Sequence, residues 1–452
     1  MKQDDTDKRV LSVFLGERKV GTLASTANHL TAFEYDAEWI QNGFSISPLS
    51  LPLRKEVFIP KGYDPFEGTF GVFADSLPDG WGRLLTDRML RKEGVDPDSV
   101  DALNRLAIVG SSGMGALTYQ PENSFGSEIA GSSLDELAHE CTLILQSKES
   151  ENLDELFLLG GSSGGARPKV YYQIDGAEWI VKFASSIDKP DIGLQEYEYS
   201  LCAQKCGIQM AETRLLPSKQ CSGYFAVRRF DRTSRASGTD NVENTDTAKG
   251  SENAKNTDNT KSAGSATSKD SKKRTDNTKS TDNTKSVGSK ITAGNAEAVT
   301  GRIHMISASA LLETSHRIPN LDYHILMRLT LLLTNDYSQL EQLYRLMCFN
   351  VFAHNRDDHS KNFSYLYDEE ENRWRLAPAY DLTWSSSIGG EHATTIDGNG
   401  ANPGLQDLLA VARAAKLDLK KARRTAEAIR EIVSTDLNKW LSPSTSSYSQ
   451  TS

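Results

Sequence analysis

The stretch HNRDDHSKNFS, residues 354–364, follows directly on the apolar run YRLMCFNVFA and crowds ionisable and amide side chains where the chain has just been burying itself. Asp357 and Asn362 stand in a D-x-x-x-x-N pattern. That spacing pairs a carboxylate able to orient or deprotonate an attacking hydroxyl with an amide oxygen able to hold magnesium. Asp381, in YDLT, adds a second hard-oxygen metal ligand. The spacing to Asn362 favours Asp357 over Asp358 as the base. These residue types together describe phosphoryl transfer to a hydroxyl.

The partners such chemistry needs lie upstream. GGSSGGA, residues 160–166, reads as a glycine loop between two strands, where backbone amides can close over phosphates. It is not a Walker A loop, because Gly165 is followed by Ala-Arg rather than Lys-Ser/Thr. Lys182 in WIVKF alternates with Trp179, Val181 and Phe183, so it occupies the opposite face of its strand. A lysine on a buried strand needs a counter-charge, and Glu196, early in the next helix, is the candidate. The strand YFAVRRF would form the hinge that meets adenine. Loop, lysine, glutamate, hinge, base and metal ligand follow in the order of a protein kinase. His354 and His359 lack the third ligand that a His/Asp metal hydrolase needs, and read as groups holding the catalytic loop.

The elements that must position these residues are mixed. RVLSVFLG and KVGTLAS read as a hairpin and LTAFEYDAEWI as a further strand. ADSLPDGWGRLLTDRMLRKEG has helical spacing, with Trp81, Leu84, Leu85 and Met89 on one side and Gly94 as a stop. Ser133 with Glu136, and Ser338 with Glu341, are capping-box signatures. LFLLGGSSGGARPKVYYQIDGAEWIVKF reads as strand, glycine loop, strand, Asp-Gly turn, strand. From 233 to 299 the composition collapses to Thr, Asp, Asn, Lys, Ser and Gly, with TDNTKS at 257–262, 275–280 and 281–286. That segment reads as a disordered insertion between structured halves.

At 452 residues the chain exceeds what one core usually organises. A formal charge of −10 argues against a general affinity for nucleic acid or anionic membrane. Five scattered cysteines (Cys141, Cys202, Cys206, Cys221, Cys348) read as reduced thiols rather than a disulfide framework. The start is too charged for a signal peptide and no apolar run reaches a membrane span. A cytoplasmic, soluble protein is expected.

The motifs FSISPLSLPL, FADSLPDGWGRLL, GGSSGGARPK, WIVKF, RRFDR, NRDDHSKNFS and LAPAYDL resemble the HipA family of bacterial toxin-type serine/threonine kinases. The resemblance implies an α+β, protein-kinase-like fold with an N-terminal β-rich subdomain and an all-helical C-terminal lobe. The expected organisation is a HipA N-terminal subdomain over 8–120 and a kinase-like N-lobe over 130–232. The insertion over 233–299, a helical C-lobe over 300–440 and a tail over 441–452 complete it. ATP and Mg2+ are the implied cofactors and a protein serine the acceptor, an aminoacyl-tRNA synthetase being one family target. A separately encoded HipB-like antitoxin is the implied partner, with DNA engaged only through it.

By the same resemblance Asp357 is the base, Asn362 and Asp381 the metal ligands and Lys182 the ATP lysine, with Glu196 beside it. His359 and Lys361 complete the catalytic set; Ser162, Ser163, Gly164, Gly165 and Phe230 complete the nucleotide set. Family members autophosphorylate a serine of the glycine loop, a position matched by Ser162 or the adjacent Ser163. Arg228 stands where the family often has an acidic residue near adenine. Two function classes remain: an active kinase, and a kinase-fold binding protein acting with a DNA-binding antitoxin without turnover. A small-molecule kinase is a third. The complete set Lys182, Asp357, Asn362 and Asp381 favours the first.

Overall fold

The computed structural model describes residues 10–123, 125, 131–233 and 301–441. These residues fall in one of the two units into which the chain divides, 1–235 with 293–452. The low-complexity segment and the C-terminal tail lie outside the described residues.

Leu11, Val13 and Leu15 alternate inward along the first strand, Val10–Leu15, which turns back through the left-handed Gly16 (φ +59°) into Arg18–Ser25. Thr31–Tyr35, Val57–Phe58 and Leu117–Gln120 complete an antiparallel five-stranded sheet, with Val10–Leu15 between Arg18–Ser25 and Leu117–Gln120. The expected third strand is shorter than the sequence suggests. Asp36 accepts a hydrogen bond from the Glu38 amide at 2.9 Å and starts a helix, Ala37–Asn42, that buries Trp39.

The helix Gly80–Lys92 forms as expected, burying Trp81, Leu85 and Met89, and Gly94 (φ +75°) follows its end. Ser133 and Glu136 cap Leu134–Leu145 reciprocally. Residues 153–160 correct the sequence reading: LDELFLLG is a helix, so the glycine loop joins a helix to a strand. Its first turn carries Asp154 and Glu155, favourable at a helix N-terminus. Glu155 is buried, accepting from the Gly131 and Ser132 amides at 2.9 and 3.1 Å and from the Ser132 hydroxyl at 2.6 Å.

After the loop come Lys169–Ile174, Ala177–Lys182, Thr213–Leu216 and Tyr224–Arg228. They form an antiparallel sheet in which Ala177–Lys182 and Tyr224–Arg228 are the central, neighbouring strands. Trp179, Val181 and Phe183 pack with Trp81, Leu85, Leu137 and Leu156 in one apolar cluster. The helix Ile192–Lys205 carries Glu196 behind this sheet.

The C-terminal part is helical around a small sheet. His304–Ser307, Ser364–Asp368 and Arg373–Leu376 pair antiparallel, flanked by Tyr323–Thr334, Tyr337–Phe352, Leu405–Ala414 and Leu419–Asp436. Its core runs into that of the N-terminal sheet, joining Val13, Phe33 and Phe73 to Ile306, Tyr323 and Phe349. The cap of Tyr337–Phe352 is a further correction. Asp336 holds the Ser338 amide at 2.8 Å, and Glu341 instead pairs with Lys421 at 2.6 Å. Among the described residues all five cysteines are unbridged, and no helix is long and apolar enough to cross a membrane.

Both ends of the 234–300 segment meet in a two-stranded ribbon, Arg232 opposite Arg302 and Thr233 opposite Gly301. Replacing 234–300 by a four-residue turn is therefore expected to leave a cooperative unfolding transition at an equal or higher midpoint. Closing a shorter loop costs less entropy, by about 0.6 kcal/mol per halving of length. A thermal melt compares the two chains; a midpoint lowered by more than about 5 °C would show that the segment contributes packing.

Candidate active site

The helix Tyr337–Phe352 delivers the catalytic stretch, and the two aspartates leave it in opposite directions. Asp358 is fully buried: its carboxylate accepts from the Tyr323 hydroxyl at 3.1 Å and the Thr394 amide at 3.2 Å, and lies 3.0 Å from His392 Nδ1. Asn350 donates to Tyr323 and accepts from Asn355, tying that network to the helix end. With its oxygens so occupied, Asp358 anchors the loop. Asp357 lines a cleft of about 420 Å³ together with Lys182, Glu196 and Asp381.

Desolvation by the cleft walls raises the Asp357 carboxyl above its usual range; His359 offsets part of this, and the Asp381 and Asp358 carboxylates add to it. Asn362, in the short turn Ser360–Asn362, donates its amide to the Asp357 carbonyl at 2.7 Å, leaving its oxygen for a cation. His359 also lines the cleft, its ring 5.3 Å from that of His316.

Across the cleft, Lys182 bonds to both Glu196 and Asp381. Burial opposes the lysine's charge, but the Asp381 and Glu196 carboxylates outweigh it and hold the ammonium above the ordinary lysine range. Asp381 is burdened by burial too, yet Lys182 and Lys169 keep it ionised well below the usual carboxylate range. Arg167 shares Glu196 at 3.5 Å and grips Asp188 through two hydrogen bonds. Phe230 lies on the cleft wall with its ring 5.6 Å from that of Tyr380, and Ile180 and Val227 line the same space.

The glycine loop places its residues unequally. Ser163, Gly164 and Gly165 line the cleft, whereas Ser162 does not. Ser162 donates to the Ser112 carbonyl at 2.9 Å and Ser163 to the Gly160 carbonyl at 2.6 Å. Many cleft residues were not singled out in the sequence, four polar ones among them. Lys169 donates to the Gly164 carbonyl at 2.5 Å; Asp79 pairs with Lys361 at 2.5 Å and accepts from the Gly165 amide; Asp75 accepts from the Ser307 amide and hydroxyl; and Tyr380 donates to the Lys361 carbonyl at 2.5 Å. Asp79 and Lys169 stand within the motifs FADSLPDGWGRLL and GGSSGGARPK. Lys361, the partner of Asp79, is remote in the chain, which hid that residue's role.

Among the described residues no group of three or more His, Cys, Asp or Glu side chains is placed to hold a metal ion. The Asp381 carboxylate and Asn362 amide oxygen do fit magnesium, which takes few protein ligands and completes its shell with water and phosphate oxygens.

Residues 11–120 match the HipA N-terminal domain, and residues 161–278 and 273–440 the HipA-like C-terminal domain. The chain belongs to the HipA family. Its structure is similar to HipA of the Shewanella oneidensis MR-1 toxin–antitoxin system, solved with HipB and its operator DNA. The TM-score is 0.59 and the identity 17%, over 95% of this chain and 90% of that one. The likeness shows a shared HipA-type α+β fold. The Helicobacter pylori proinflammatory kinase CtkA matches at a TM-score of 0.32 and 12% identity, over 61% of this chain and 90% of its own, too distant to bear on the argument.

The Asp79–Lys361 pair of this HipA chain has a consequence for stability. Burial would raise Asp79, but Lys361 and the Gly165 amide bring it down to about 2 from an ordinary 3.8. A depressed carboxyl contributes stability above its unfolded value and loses it as pH falls through the folded value. Lys361→Met is expected to cost about 2 kcal/mol at pH 7, with the difference from wild type narrowing between pH 4 and pH 2. Denaturant titrations across that range check it.

Proposed function

We propose that this chain is an ATP- and magnesium-dependent protein serine/threonine kinase of the HipA toxin type. The observation that carries the reading is Lys182 bound to both Glu196 and Asp381, on the wall facing Asp357 across one cleft. That is the charge arrangement phosphoryl transfer needs: cations for the phosphates, oxygens for the metal and a carboxylate at the acceptor.

In this reading Lys182 and the amides of Gly164 and Gly165 hold the nucleotide's phosphates, while Phe230 and the neighbouring apolar wall hold its base. Asp381 and Asn362 would hold magnesium, which when bound offsets charge on the phosphoryl oxygens. Asp357 orients the acceptor hydroxyl and takes its proton; its raised carboxyl makes it a better proton acceptor than an ordinary aspartate. His359 and Lys361 border the acceptor side. Lys361 is already engaged by Asp79, so its part is in loop geometry as much as in charge.

We infer that the organisation follows the expected boundaries: a subdomain over 8–120, an N-lobe over 130–232 and a C-lobe over 300–440. The acceptor is a protein serine and the setting cytoplasmic. The Shewanella HipA was solved with HipB and operator DNA, which supports a HipB-like antitoxin as partner, with DNA reached through it. The same likeness supports the alternative, a kinase-fold binding protein without turnover; the complete set of charged cleft residues favours catalysis. Autophosphorylation at Ser162 or Ser163 fits the reading only with movement of the loop, because both hydroxyls are buried against carbonyls.

The test is phosphate transfer, followed by intact mass with magnesium and ATP and by labelling of candidate substrate proteins. Asp357→Asn is expected to lower turnover at least 10²-fold, the scale of a general base, with nucleotide affinity nearly unchanged. Asp381→Asn is expected to abolish the magnesium dependence of nucleotide binding. Equal labelling by wild type and Asp357→Asn would sink the kinase reading.

A further inference from the structure

Asp79 occupies the cap position of the helix Gly80–Lys92, yet its carboxylate makes no hydrogen bond to that helix. An aspartate in that position ordinarily satisfies the helix's own free amides. Here one oxygen accepts from the Gly165 amide, at the end of the glycine loop, and the other from Lys361 Nζ in the catalytic loop. One side chain of the N-terminal part thus bridges the two loops that face each other across the cleft.

The rest of the helix start is shaped to the same loop. The Trp81 amide donates to the Gly165 carbonyl at 2.9 Å and its indole to the Lys169 carbonyl at 3.2 Å. Thr86 donates its hydroxyl to the Gly161 carbonyl at 3.0 Å. Gly80 and Gly82 are required by this approach. A Cβ on Gly80, itself left-handed at φ +45°, would lie 2.5 Å from the Gly165 carbonyl oxygen, and one on Gly82 2.1 Å from the Ser163 carbonyl oxygen. Glycine loops in solvent are mobile because their backbone amides lack fixed partners. This loop has partners at both ends, and they come from the segment PDGWG and from Thr86 in the helix that follows it.

We propose that Asp79 is a positioning residue that latches the glycine loop closed over the cleft, so that the N-terminal helix sets the affinity for nucleotide. The function of the latch rests on the kinase reading; its existence does not. Asp79 acts through the two groups it binds, the Gly165 amide and Lys361. Asparagine in its place keeps the size but loses the charge, so it holds Lys361 weakly and leaves Gly165 a poorer acceptor. Glutamate keeps the charge on a longer arm.

The experiment uses the full chain and compares wild type with Asp79→Asn, Asp79→Glu, Lys361→Met and Thr86→Val. Amide hydrogen exchange over 161–166 and over the strand Val10–Leu15 is read with and without Mg–ATP, and Kd for Mg–ATP is measured by calorimetry. Asp79→Asn is expected to speed exchange of 161–166 at least tenfold beyond any acceleration in Val10–Leu15, which reads the loss of global stability, and to raise Kd at least tenfold. Asp79→Glu should recover part of both effects. Thr86→Val, which breaks the other end of the cradle, should speed loop exchange by a smaller factor. Lys361→Met carries the same loop-exchange expectation should Asp79→Asn fail to fold, and the double variant should add little to either. Loop exchange at the wild-type rate in Asp79→Asn or, failing that variant, in Lys361→Met overturns the latch, as does acceleration spread evenly over the whole chain. A wild type that binds no nucleotide overturns the kinase reading instead, and the exchange comparison still decides the latch.

Discussion

The structure turns on one buried cation. Lys182 sits 9% exposed on a strand whose other face is packed with Trp179 and Val181, and it bonds to carboxylates from two different elements. An isolated ammonium in that position would cost several kcal/mol of desolvation, and removing either partner would leave a charge uncompensated. The sheet, the helix carrying Glu196 and the segment carrying Asp381 must therefore be assembled together for any of the three to be tolerable. Asp381 itself holds a left-handed backbone (φ +59°), a conformation costly for a side-chain-bearing residue unless its surroundings fix it. The ion triad is one of the things that fixes it.

From that centre outward, carboxylates of similar sequence surroundings take opposite roles according to what their neighbours offer. Asp358 meets a tyrosine, a histidine, a threonine hydroxyl and an amide, and becomes a fastener. Asp357, one residue earlier, keeps its oxygens for the cleft. Asp79 is divided between an amide and a lysine. Asp231, fully buried, binds Arg229 and Arg232 through three hydrogen bonds of 2.7–3.0 Å and accepts from the Gly115 amide at 2.7 Å. Burial alone would neutralise such a group; the two guanidiniums keep it ionised well below the ordinary range.

Much of this was legible from sequence where the signal is local. Strand parity placed Lys182 opposite the apolar face, and D-x-x-x-x-N favoured Asp357, which of the two adjacent aspartates is the one lining the cleft. The reading failed where a local pattern has two solutions. LFLLGG is short and apolar enough to be strand or helix, and only the acidic first turn, with Glu155 answered by Gly131 and Ser132, decides for helix. Ser338 resembled a cap, but Asp336 two residues earlier holds that position and accepts from both the Ser338 amide and the Ser338 hydroxyl. Asp79 was invisible as a site residue because its partner Lys361 is 282 positions away. No spacing rule reaches that far.

The same logic of distant charges explains how residues 229–233 and 301–302 are held in place on either side of the 234–300 segment. Arg229 and Arg232 donate to the Gly113 carbonyl at 3.3 and 3.0 Å, Arg232 also reaches the Gly115 carbonyl at 2.9 Å, and Arg302 donates to the Ser111 carbonyl at 2.5 Å. The chain thus leaves the hinge and returns to it through residues bolted to one loop of the N-terminal part, 111–115. That loop also receives the Ser162 hydroxyl. A buried ionic network of this kind is a weak source of net stability, since desolvation consumes most of the attraction. What it fixes is geometry: guanidiniums accept few arrangements of carbonyls and carboxylate. The N-terminal part therefore holds the cleft from two sides, at the glycine loop through residues 79–86 and at residues 229–232 through residues 111–115, although it contributes none of the groups to which the proposed chemistry is assigned.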